Sequence, residues 1–68
     1  MDKYRFNAYK DLIEEKGKAS LTQLTNWTAS NKFLTKMFLD EIIELNLIIK
    51  KGNYYYLNEK ELELWKVK

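Results

Sequence analysis

The stretch SLTQLTNWTASNKFLTKMFLDEIIELN, residues 20–46, decides the fold. Ser20 with Gln23 three residues on forms a capping box, so a helix starts at Ser20. Leu21 and Leu24 share a face of that helix, and Trp27 closes it, read as a core or hinge filler. Thr28-Ala29-Ser30 is a small polar turn. Ser30 is the expected N-cap of the next helix, with Thr28 as the alternative. That helix runs from Asn31 to Leu45, and Leu34, Phe38, Ile42 and Leu45 recur at spacings of four, four and three, a core-facing stripe. Phe33, Met37, Leu39 and Ile43 lie beside it. Asn46 tolerates the left-handed conformation that ends a helix. The stretch is therefore two helices joined by a turn of about three residues.

The flanks extend the pattern on both sides. Upstream, residues 2–16 read as a first helix, with Asp2 as N-cap and Gly17 in the place of a C-terminal glycine cap. Its apolar residues fall in two rows, Phe6-Tyr9-Ile13 and Tyr4-Ala8-Leu12. Together they are wider than the stripe one small core needs. Lys18-Ala19 is an extended link that can form a short strand. Downstream, Leu47 to Lys51 reads as a strand, Gly52-Asn53 as a two-residue hairpin turn, and Tyr54 to Leu57 as the returning strand. In that register Ile48 faces Leu57, Ile49 faces Tyr56, Lys50 faces Tyr55 and Lys51 faces Tyr54. The hairpin base is apolar and its tip basic and aromatic. Asn58 with Glu61 opens a last helix over residues 59–67, although Leu62-Glu63-Leu64 also alternates like an extended tail.

Composition limits the chemistry. The 68 residues contain no cysteine and no histidine. Disulfide staples, thiolate or imidazole metal sites, thiol nucleophiles and histidine acid-base catalysis are thus absent, and no cofactor is expected. One domain over residues 1–68 is all this length supports. A chain of that size buries only about 60% of its unfolded surface and gains from any partner. Met1-Asp2-Lys3-Tyr4-Arg5 leads into no apolar stretch, so a secretory signal is not expected. The longest apolar run, Tyr54 to Leu57, is too short to span a bilayer. A cytoplasmic protein without a membrane partner is the expectation. Twelve basic residues, eleven of them lysine, face ten acidic ones, and a net charge of +2 permits nucleic-acid binding without demanding it.

Helix, capped helix, turn, helix, hairpin and terminal helix is an order that resembles the winged helix-turn-helix domain. The likeness rests on Ser20-Leu21-Thr22-Gln23-Leu24, on Leu45 to Leu57, and on the spacing between them, and covers about residues 4–58. The chain looks like the small repressors of the MarR and ArsR types and the compact winged-helix proteins of archaea, their viruses and plasmids. Asn46 departs from the glycine frequent in such families. The resemblance implies a mainly α fold with a small β-hairpin: a three-helix core, a helix-turn-helix over 20–46, a two-stranded wing over 47–58 and a short C-terminal helix.

By the same resemblance, the exposed N-terminal half of the third helix meets base edges in a DNA major groove. Here that half holds Ser30, Asn31, Lys32, Phe33, Thr35 and Lys36. Asn31 would pair with adenine, the lysines with guanine or phosphate, and Phe33 with a thymine methyl. Lys50, Lys51, Asn53 and Tyr54 at the hairpin tip would meet the backbone or minor groove, with Arg5, Lys16 and Lys18 extending the footprint. The expected function is double-stranded DNA binding in transcriptional regulation, as a homodimer using Tyr4, Ala8, Leu62 and Trp65. Against this, residues 31–45 hold two lysines and three acids (Asp40, Glu41 and Glu44), a net of −1, and hairpin lysines commonly serve solubility. The competing reading is a protein-binding module using Phe33, Lys36, Asp40 and Ile43, with Leu39 enlarging the patch. An enzyme is not expected: the acidic pairs sit on predicted exposed surface, and the only glycines, Gly17 and Gly52, make no phosphate-binding loop. Tyr54-Tyr55-Tyr56 reads as strand, with alternate rings packed inward, in preference to a base-stacking platform.

Overall fold

The computed structural model describes residues 2–66; the side chains of Trp65 and Lys66 lie outside that description. The elements run α1 (Lys3–Lys16), β1 (Ala19–Ser20), α2 (Leu21–Trp27), α3 (Lys32–Glu44), β2 (Ile48–Lys51), β3 (Tyr54–Leu57) and α4 (Glu59–Lys66). The fold is mainly helical, with a small antiparallel sheet of three strands in the order β1-β3-β2. The expected two-stranded hairpin is thus widened by the link at Ala19 and Ser20, which pairs Ala19 with Tyr55 and Ser20 with Tyr54. Within the hairpin the register is Ile48 with Leu57, Ile49 with Tyr56, Lys50 with Tyr55 and Lys51 with Tyr54, as the two-residue turn requires.

Local chemistry sets most of the boundaries. The Asp2 carboxylate accepts from the Tyr4 and Arg5 N–H groups at 3.0 and 3.2 Å. Ser20 and Gln23 exchange side-chain and backbone hydrogen bonds at 2.9 and 3.2 Å, closing the capping box. Gly17 ends α1 at φ 86°, its N–H donating to the Ile13 carbonyl. Two further helices end in the paired-bond pattern of the Schellman motif. After α3, Asn46 takes φ 63°. Its N–H donates to the Ile43 carbonyl and the Leu47 N–H to the Ile42 carbonyl, with the buried Leu47 and Ile42 at the two ends of the motif. After α2, Ala29 takes φ 50°, its N–H donating to the Asn26 carbonyl and that of Ser30 to the Thr25 carbonyl. An alanine in the left-handed region gave no signal in the sequence, since glycine and asparagine are its usual occupants.

The core sits where α1, α2, α3 and the sheet converge. Phe6, Tyr9, Leu12 and Ile13 of α1 meet Leu24 of α2, Leu39 and Ile42 of α3, and Ala19, Leu47, Ile48 and Tyr55. Each large apolar side chain fully buried here contributes on the order of 1.5–3 kcal/mol. Leu12 therefore joins the inward row of α1, and the second row keeps only Tyr4 and Ala8 toward the surface. Leu62 of α4 leans on the core.

The stripe of α3 differs from the expected one. Thr35, Leu39 and Ile42 point inward, while Leu34 is 37% exposed and Leu45 is exposed with it. Phe38 is half-buried. The N-cap is Asn31 in place of Ser30, with its side-chain oxygen accepting from the Leu34 N–H at 2.9 Å. Burying Thr35 carries no unmet hydroxyl, because its Oγ1 donates to the Asn31 carbonyl at 2.8 Å. Apolar residues on every side of α3 left the spacing ambiguous. A threonine whose polarity is satisfied within the helix resolved it. Trp27 is another correction: it is exposed, because Leu24 and Thr25 take the inward positions of the short α2.

Candidate nucleic-acid interface

Two segments offer positive charge without an acid among them. Residues 30–36 carry Lys32 and Lys36, and residues 48–57 carry Lys50 and Lys51; neither segment contains an Asp or Glu. All four lysines are exposed. Lys32, Lys36 and Asp40 are spaced by four and follow one row along α3. Burial first, and then the charge of Asp40, raise the Tyr55 phenol above its ordinary value.

At the hairpin the lysines lie over aromatic rings. The Lys50 ammonium stands 6.0 Å from the centre of the Tyr55 ring, and that of Lys51 stands 5.8 Å from Tyr56. Lys18, just before β1, sits 4.2 Å over the Tyr54 ring, because Ser20 pairs with Tyr54 across the sheet. The cation–π attraction holds these long side chains against the tip, at about 0.5–1 kcal/mol for exposed pairs. Gly52 supplies the left-handed φ of 61° at the first turn position, and Asn53 is exposed beside it. Lys50, Lys51, Asn53, Tyr54 and Lys18 thus form one basic, aromatic corner.

The other predicted residues divide sharply. Phe33 is 75% exposed, at the start of α3 with Lys32 and Lys36. Thr35, expected on the exposed half of α3, is instead buried, with its hydroxyl donating to the Asn31 carbonyl. Asn31 is exposed, but its oxygen is held by the helix cap. Ser30 is half-buried in the turn. Arg5 belongs elsewhere: its guanidinium lies 4.4 Å over the Phe38 ring and its Nε 4.0 Å from an Asp2 carboxylate oxygen. Lys16 lines a cleft of about 400 Å³ between α1 and α2, with Trp27 at its wall.

Of the expected dimer residues, Tyr4 is 89% exposed and Ala8 half-buried. Leu62 is half-buried against the core of its own chain, and the Trp65 side chain lies outside the described residues. Of the protein-binding patch, Leu39 is buried and Ile43 packs on the core, leaving Phe33 as its only exposed apolar member.

One exposed residue was missed. Met37 is 52% exposed, one turn after Phe33 on the outer side of α3. Its spacing of four from Phe33 was the available signal, hidden once Leu34 and Phe38 were taken as the inward row. Among the described residues no helix is long and apolar enough to cross a membrane. Compared with protein-family models, with curated proteins and with solved structures, the chain matches none.

Proposed function

We propose that this chain is a winged helix-turn-helix domain that binds double-stranded DNA and regulates transcription. In this reading α3 enters a major groove while the β2–β3 hairpin, as the wing, lies along the flanking backbone. The supporting observation is the exposure of four lysines, Lys32, Lys36, Lys50 and Lys51, in two segments that contain no acid. The acids of α3 occupy its other half, at Asp40, Glu41 and Glu44, where the helix runs back toward the hairpin base. Phosphate contacts from the lysines would orient the domain, and the outer residues of α3 would supply preference among sequences.

The test is a double variant. Lys32→Ala with Lys36→Ala removes two exposed charges and no core contact, so its thermal melt should match that of the parent chain. Duplex affinity should fall, and the slope of log affinity against log salt should become shallower by about 1.8, from about 0.9 per phosphate contact. Full-strength binding by a normally folded double variant would remove α3 from the interface.

A homodimer is part of the proposal. It would join two helix-turn-helix units on half-sites about one helical turn apart. Tyr4 on α1 and Leu64 on α4, both exposed, are among the apolar residues available for it. Sedimentation at high micromolar concentration should give a dimer mass, and a monomer there refutes this part alone.

The second reading, a protein-binding module, is favoured by one observation, the exposure of Phe33 and Met37 on the same side of α3. Those two residues take a different meaning beside the lysines.

A further inference from the structure

We infer that α3 distinguishes DNA sequences through the C5 methyl groups of the major groove, which Phe33 and Met37 contact as an apolar pair. The inference rests on the DNA-binding reading and names what that interface recognises.

Helix α3 has few groups free to read bases by hydrogen bonds. Bidentate recognition of adenine needs the carbonyl and the amide nitrogen of one Asn or Gln together. Asn31 is the only such residue between Ser30 and Leu45, and its carbonyl oxygen already accepts the Leu34 N–H at 2.9 Å. Turning it to a base would uncap the helix. Thr35 is buried, with its hydroxyl committed to the Asn31 carbonyl. No arginine lies in α3, so the forked pairing with guanine is missing too. Lys32 and Lys36 are exposed point charges suited to phosphate or to guanine.

What remains outermost on the N-terminal half is apolar. Phe33 and Met37 are 75% and 52% exposed, and they stand one helical turn apart. A turn rises about 5.4 Å, which spans between one and two base-pair steps of about 3.4 Å. The only apolar groups on the major-groove base edges are the thymine methyls. Lys32 and Lys36 neighbour Phe33, while Asp40 and Glu41 lie one turn beyond Met37, so the Phe33 end of the pair carries the charge that suits a polyanion. Such an apolar pair beside two lysines would favour adjacent base pairs that both present a methyl.

The experiment changes the DNA and leaves the protein intact. Fluorescence anisotropy at one low salt concentration would compare four duplexes of equal length. These are alternating A·T, the same with uracil for thymine, alternating G·C, and the same with 5-methylcytosine for cytosine. Loss of the methyls should weaken binding about fourfold per contact, or about 15-fold for two, as follows from about 0.8 kcal/mol per buried carbon. Methylation of cytosine should strengthen binding in the same sense. Phe33→Ala with Met37→Ala should erase both differences, keep the salt-dependent binding, and melt like the parent because neither residue is in the core. Equal affinities within both pairs of duplexes would overturn the inference and leave the DNA reading standing. No binding to any of the four would overturn that reading, and the inference with it.

Discussion

Helix α3 and the β2–β3 hairpin use their apolar residues in different ways. In the hairpin, burial follows the pleat. Ile48 and Tyr55 go inward while Ile49 and Tyr54 face out, and a two-residue turn at Gly52 leaves no other register. In α3 apolar side chains occur on all sides, yet only Leu39 and Ile42 among them are fully buried, with a threonine completing the inward row. A strand has two faces, and one turn decides between them. A helix has a continuous circumference, and its neighbours select the arc. The arc left over on α3 holds Phe33 and Met37, which are more exposed than the outward-facing Ile49 and Tyr54 of the hairpin.

The largest test of this difference sets two leucines of one helix against each other. Leu39→Ala should cost about 2–5 kcal/mol and leave little folded protein, because it empties a site in the centre of a small core. Leu34→Ala, only five positions earlier, should cost less than about 1 kcal/mol. Urea titrations followed by circular dichroism would separate them. Equal losses would mean that the inward arc of α3 includes Leu34.

A smaller effect belongs to the N-cap. Asn31→Ala should lower stability by about 1 kcal/mol, and Asn31→Ser or Asn31→Asp should restore most of it, since each keeps an oxygen for the Leu34 N–H. If all three variants melt alike, the side chain is not the cap, and adenine recognition by Asn31 is open again.

The smallest effect lies where α3 meets the hairpin. Burial, and secondarily the charge of Asp40, raise the Tyr55 phenol above its ordinary value. The folded chain therefore holds that proton more tightly than the unfolded chain. The associated stability is complete below the ordinary tyrosine value of about 10 and is lost as pH rises through it. Melting temperature should decline above that pH, and Asp40→Asn should make the decline slightly shallower. An unchanged decline would mean that the charge of Asp40 does not act on Tyr55.

Much of the architecture was legible because it depends on local signals. Asp2, the Ser20–Gln23 pair, Gly17 and Asn46 mark helix ends through hydrogen bonds made within a few residues, and Gly52-Asn53 sets the hairpin register the same way. The face of α3 was not legible, because it depends on packing between elements distant in sequence. Ser30 and Asn31 are both competent caps, and nothing local decides between them. At the candidate interface the exposed lysines were readable from charge alone. The burial of Thr35 and the exposure of Met37 followed from the same shift of the inward row.

The account's central claim is that this domain binds duplex DNA. Its most direct test is the fluorescence anisotropy of the intact chain with a random-sequence duplex, titrated across salt. Four phosphate contacts from Lys32, Lys36, Lys50 and Lys51 predict a slope of log affinity against log salt of about −3.6. No binding at low salt, or an affinity indifferent to salt, would contradict it.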